Sequence, residues 1–161
     1  MKTNRGFTLV ELMITLVVAA IMLGWGVPSF LTIIENNRIA TQANSFIAAL
    51  ALARSEAVSK GATTRVEATG GDWAGGWKVT RVLSGGGTED LRVFEALTGQ
   101  TTFTSTQSIT ALQFTSKGYL DVATGTVYDF VMKSPKCTGN NARKITITAV
   151  GRPAIEHVAC G

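Results

Sequence analysis

The chain has 161 residues and a formal net charge of +4, from 15 Lys+Arg against 11 Asp+Glu; 45% of it is hydrophobic and 16% charged. That balance excludes a disordered chain, and three prolines with no Gly-X-Y period exclude collagen. One domain of ordinary size fits the length, with enough residues to bury a real core without metals.

The first segment, residues 1–6, carries Lys2 and Arg5 and no acid. From Phe7 to Ile34 the only charge is Glu11, and the run Leu12–Ile34 has none over 23 residues. As a helix those residues span roughly 34 Å, enough for the ~30 Å hydrocarbon layer. A cationic flank before the span places Met1 in the cytoplasm and the bulk outside. A secretory signal peptide is the rival reading, but the run is long and no Ala-x-Ala site closes it. A small residue, Gly6, instead precedes it. A carboxylate in such a span is costly unless paired or at the interface. Cleavage after Gly6 would create an amine on Phe7, about one turn from Glu11, that a neighbouring subunit could offer as its partner. Gly24 and Gly26 weaken the helix and Pro28 removes a backbone donor, so a kink or melted turn is expected at residues 24–28, above all in a filament.

The helical pattern resumes after Asn36-Asn37. Ile39, Ala43, Phe46, Ile47, Leu50, Ala53, Ala57 and Val58 recur mostly at three- and four-residue spacing, with Gly61 as the stop. One helix from about Phe7 to Lys60 is therefore expected, apolar all round in its first half and on one face in its second. Beyond it, short glycine-punctuated segments read as strands: Thr64–Ala68, Trp77–Leu83, Leu91–Ala96, Ile109–Thr115, Val127–Met132 and Ile145–Val150. Ser84–Gly87 is a loop without the GK[ST] of a phosphate loop. Strands packed on one long helix make an α+β layer arrangement. Cys137 and Cys160, an even pair in an exported domain, read as one disulfide, worth roughly 3.4 kcal/mol in the chain-entropy treatment. With His157 they lack the count and spacing of a metal site. No catalytic constellation is present, and no metal or cofactor is expected. His157 beside Glu156 reads as a surface pair.

Gly6-Phe7-Thr8-Leu9-Val10-Glu11-Leu12 before the apolar run resembles the cleavage and methylation motif of type IV prepilins and type II secretion pseudopilins. The resemblance implies that a prepilin peptidase cuts after Gly6 and methylates Phe7, and that Glu11 is the assembly glutamate. Pro28 falls where the family commonly carries a helix-kinking proline. Ala53-Arg54-Ser55-Glu56-Ala57-Val58 and Trp73-Ala74-Gly75-Gly76-Trp77 resemble hallmarks of the GspH/FimT (FimU-like) group of minor pilins and pseudopilins. The implied fold is the α+β type IV pilin-like lollipop, a long N-terminal helix packed on an antiparallel β-sheet head. It divides into a cleaved leader (1–6), a transmembrane and assembly half-helix (7–34) and a periplasmic head (35–161). Trp73 and Trp77 read as core residues, and Arg54 and Glu56 as ties between helix and sheet.

The implied partners are other minor and major pilins, the prepilin peptidase, an inner-membrane assembly platform and, before assembly, inner-membrane lipid. The subunit would wait in the inner membrane and end at the cell surface in a pilus. Three readings stay open: a minor pilin of a tip or initiation complex serving adhesion or twitching, a minor pseudopilin of type II secretion, and a DNA-binding pilin for transformation. Residues 133–161 hold Lys133, Lys136, Arg143, Lys144 and Arg152 against Glu156 alone, a basic tail that could meet phosphates. Some FimT-like members bind DNA through Gly-Arg-x-Arg. Here Gly151-Arg152-Pro153-Ala154 keeps the first arginine and replaces the second, which counts against DNA; Arg143, Lys144 and Arg152 are the candidates.

Overall fold

The computed structural model describes residues 7–161. Helix α1 (Leu9–Lys60) is followed by eight strands: β1 (Thr64–Ala68), β2 (Trp77–Val82), β3 (Thr88–Phe94), β4 (Thr102–Ser105), β5 (Ala111–Phe114), β6 (Val127–Lys133), β7 (Ala142–Thr148) and β8 (Pro153–Val158). The chain forms two compact units, Met1–Asn36 and Asn37–Gly161.

In the first unit the large apolar side chains of α1 are exposed. Leu9 is 73% accessible, and Leu16, Ile21, Leu31 and Ile33 all exceed half. Among the described residues nothing covers them, so water is the wrong solvent for this segment. Residues 24–28 are helical, and the melted turn expected there is absent from this subunit. Glycines cost a helix about 1 kcal/mol each, which weakens it without breaking it.

In the second unit α1 has a buried stripe of Ile39, Ala43, Phe46, Ala49, Leu50, Ala53 and Ala57. Four of these seven are alanines, small enough to let strands approach the helix backbone. Thr64, the first residue of β1, donates its hydroxyl to Ala53 O at 2.7 Å. Ile47 is only half-buried and Val58 is exposed, so the stripe is one residue narrower on that side than the periodicity suggested. The helix stops as expected: Gly61 takes φ 60°, and Ala62 N–H bonds back to Ala57 O at 3.2 Å.

The strands make two four-stranded antiparallel sheets rather than one, in the orders β3-β2-β1-β5 and β4-β6-β7-β8. Six strands fall where the sequence placed them, with ends displaced by a few residues. The two additional strands, β4 and β8, are both edges. The sheets share one core. The Phe46 ring lies 5.4 Å from Trp73, 5.3 Å from Trp77 on β2, 4.8 Å from Phe103 on β4 and 5.2 Å from Phe130 on β6, mostly edge-to-face. Trp73, in the 3-10 turn before β2, donates its indole N–H to Ile109 O at 2.7 Å. Gly76, between the two tryptophans, has φ 97°, and a Cβ there would stand 2.5 Å from Phe94 O. Only glycine lets this turn close against β3.

Alternation along β7 turns Arg143, Ile145 and Ile147 inward and Lys144, Thr146 and Thr148 outward. On the outer face Asp129 of β6 takes Lys144 Nζ at 3.0 Å and the Thr146 hydroxyl at 2.8 Å. Partial burial alone would raise the Asp129 carboxyl, but the Thr146 hydrogen bond and the Lys144 ammonium outweigh it and hold it below its ordinary value.

Two outcomes follow from this packing. Phe46→Ala removes the ring that touches both sheets and should cost about 3–5 kcal/mol in denaturant unfolding followed by tryptophan fluorescence. Because the Asp129 carboxyl is depressed in the folded state, its contribution is present above about pH 4 and lost as pH falls through the folded-state value. Asp129→Asn should therefore destabilise by up to about 1 kcal/mol at neutral pH, with the gap to the parent chain closing in acid.

Candidate assembly site

The N-terminus of α1 is built by two residues. Thr8 precedes the first helical residue, and its hydroxyl accepts the Glu11 backbone N–H at 3.2 Å. Glu11 reaches back: its Oε2 accepts the Thr8 backbone N–H and the Thr8 hydroxyl, both at 3.0 Å. This is a capping box, satisfying donors that the first turn of a helix otherwise leaves unpaired. The carboxylate also sits at the positive end of the helix dipole. The signature Thr8-x-x-Glu11 before an apolar run was present in the sequence, and reading Glu11 only as an intermolecular partner missed it. Oε1 of Glu11 makes no hydrogen bond among the described residues, so the carboxylate keeps one oxygen for a donor from outside. Phe7 is exposed, immediately before the cap. Gly6, the residue expected before the cut, lies outside the described residues.

The two expected helix ties separate. Glu56 pairs with Arg81 of β2 at 3.4 Å, and Arg81 also holds Glu89 of β3, so one arginine links helix and sheet. Arg54 instead lies over Gly118 and makes no hydrogen bond or ion pair among the described residues.

Cys137 and Cys160 are joined, with Cα atoms 5.6 Å apart. The bond ties the β6–β7 connection to the segment after β8, and Cys160 N–H adds a hydrogen bond to Gly139 O at 3.0 Å. It thus holds the edge strand β8 at its far end.

The three candidate phosphate contacts do not form one surface. Arg143 is 9% exposed and donates to His157 Nδ1 at 2.7 Å across the β7–β8 pair. Burial pulls its guanidinium below the usual arginine value, though it remains charged at neutral pH. Lys144, its neighbour in the strand, faces the opposite side and pairs with Asp129. Arg152 alone is exposed. His157 likewise pairs with Arg143 and not with Glu156, since successive strand residues point to opposite faces. Among the described residues no group of three His, Cys, Asp or Glu side chains could hold a metal ion.

The profile of the prokaryotic N-terminal methylation motif matches residues 1–27, and that of the family described as Type II transport protein GspH matches residues 42–151. A comparison with curated protein sequences gives no match. Among solved structures, the type IV minor pilin FimU of Pseudomonas aeruginosa superposes with a TM-score of 0.64 at 28% identity, covering 76% of this chain and 90% of that one. A second crystal form of FimU gives 0.60 at 28% identity, with 73% and 91% covered. The minor pseudopilin EpsH of the Vibrio cholerae Type 2 Secretion System gives 0.59 at 14% identity, with 74% and 97% covered, a likeness of fold. These relatives are minor pilin and pseudopilin subunits and not enzymes, and the methylation motif with its apolar helix fits a membrane-anchored subunit. The long helix, the antiparallel sheets and the matched residues together place the chain in the GspH family of type IV minor pilins and pseudopilins.

Proposed function

We propose that the chain is a minor subunit of a type IV pilus, joining its tip or initiation complex and supporting pilus assembly. The observation that carries this reading is the 28% identity to the minor pilin FimU over three quarters of the chain, twice that to the pseudopilin EpsH. A minor pseudopilin in a type II secretion system is the second reading, favoured by the description of the matching family. DNA binding has less support, because Arg143 is buried and Lys144 is paired.

In the proposed mechanism the subunit waits in the inner membrane, Met1 in the cytoplasm and the second unit in the periplasm. A prepilin peptidase removes residues 1–6 and methylates Phe7. The apolar first half of α1 then leaves lipid for other helices, drawn through an assembly platform into a filament with major and minor pilins. Glu11, tied by Oε2 to its own helix start, presents Oε1 to a neighbour's Phe7 ammonium, so that neither charge enters the packed helices unpaired. The turn at residues 24–28 is the weakest part of the helix and the place where packing would melt it.

Glutamine can replace glutamate in a capping box but carries no charge. Glu11→Gln should therefore keep the subunit helical and membrane-inserted while excluding it from sheared filaments, as Glu11→Ala should. Normal incorporation of the glutamine variant would mean that capping, not charge, is what Glu11 supplies. Gly6→Val should leave a slower-migrating unprocessed band on immunoblots, and a fully processed product would remove the cleavage assignment. Deletion of the gene should abolish surface pili under the first reading and secretion under the second.

A further inference from the structure

A groove of about 500 Å³ runs between α1 and the β7–β8 turn, lined by Ala51, Arg54, Ser55 and Val58 on the helix and by Gly151 and Pro153 opposite. The helix residues fall at i, i+3, i+4 and i+7, one continuous face beside the buried stripe. That face is uncovered: Ala51 and Ser55 are exposed, and Val58 is 55% accessible. Tyr119 and Val150, in the two turns flanking the groove, are also about half exposed. Single exposed apolar residues are ordinary, but several around one concavity mark a contact surface.

The groove is held by two close approaches. Gly118 has φ 79°, and a Cβ there would stand 2.8 Å from Val58 Cγ2 and 3.3 Å from Arg54 Nε. Gly151 has φ 73°, and its Cβ would stand 2.8 Å from the Phe114 ring. Any other residue at either position pushes a wall into the space.

The charge of the site is one-sided. Arg54 has no hydrogen-bonding or ionic partner among the described residues, and its guanidinium offers five donors. Lys117 and Arg152 are exposed in the flanking turns. No carboxylate lines the groove. Glu56 is engaged with Arg81 and Asp121 with Gln113, and Glu156, further along β8, is not among the lining residues. An apolar trough with an unpaired arginine and a cationic rim matches a segment that brings an aliphatic side chain and a carboxylate together. Duplex DNA fits less well. Its affinity rises with the number of phosphates neutralised along a stripe, and the other two candidate cations, Arg143 and Lys144, lie at the far end of the hairpin and are buried or paired.

We propose that this groove docks an acidic, aliphatic segment of a neighbouring filament subunit, with Arg54 receiving the carboxylate and Val58 and Pro153 the aliphatic side chain. This rests on the reading of the chain as a filament subunit. The test places the photo-crosslinker p-benzoylphenylalanine at Ser55 of the full-length chain in its own cells, with the crosslinked peptide mapped by mass spectrometry. The expected product joins Ser55 to a pilin or pseudopilin segment with Asp or Glu within about one helical turn of the linked residue. Arg54→Glu should lower its yield about tenfold, and Lys at the mapped carboxylate should restore it. Arg152→Glu, an exposed change that spares the core, should lower it severalfold and guards against misfolding of the first variant. A linked segment without carboxylates, a product with DNA alone, or yields indifferent to both charge reversals overturns the proposal. Sheared filaments from the same cells separate the two failures: the chain present in filaments without this crosslink sinks the groove alone, and its absence from filaments sinks both.

Discussion

The second unit depends on one ring. Phe46 projects from α1 into the place where the Trp73 turn, β2 of one sheet and β4 and β6 of the other converge. Each sheet needs a partner for its buried face, and both turn that face toward one core that the helix stripe completes. The alanines at 43, 49, 53 and 57 bring the helix backbone near the strands, and the Phe46 aromatic cluster fills the space that those small residues leave. The Trp73–Trp77 segment follows from the same demand. Both indoles must reach Phe46 from one short turn, so the turn must be tight, and Gly76 at φ 97° is what allows it.

The first half of the same helix solves an opposite problem. It has no buried apolar stripe, and its large apolar side chains are exposed all round, as fits a membrane-anchored segment. Such a segment tolerates Gly24 and Gly26 because its stability comes from the absence of competing water donors as much as from residue propensity. Its one charge is therefore confined to the first turn, where the backbone itself supplies donors. The capping box explains how Glu11 is held in a lone subunit: Oε2 carries the cap, while Oε1 makes no hydrogen bond among the described residues.

Much of this was legible in the sequence because it is periodic or punctuated. The apolar run, the stripe from Ile39 to Ala57, the Gly61 stop and six strands rest on spacing that physics fixes locally. The failures share a cause. β4 and β8 are edge strands: Thr102–Ser105 buries only Phe103, and Pro153–Val158 opens on proline and carries Glu156 and His157, so neither has a strong alternating signal. The division into two sheets is a long-range pairing choice, in which β5 returns to β1 while β4 joins β6, and no local pattern encodes it. Arg143 reads as a surface cation until β8 is known to lie beside it, because its partner His157 is 14 positions away.

That last point changes what the net charge means. A basic tail on paper divides, once folded, into cations with different duties. Arg143 is spent on the inner side of β7, holding the edge strand β8 through His157; Lys144 on the outer side holds Asp129. The disulfide fixes the same end of β8, two residues beyond Val158. With those cations committed inside the sheet, the positive charge left for a partner lies at the opposite end of the hairpin, on Arg152, and across the turn on Arg54 and Lys117. Among the described residues none of these three pairs with an acid. Surface arginines usually find a carboxylate at little cost, so an unpaired, half-buried Arg54 against an apolar trough is better explained by a partner from outside than by solvent. The charge that survives folding is thus concentrated where the helix face is bare, which is the arrangement expected of a subunit whose second unit is completed by its neighbours.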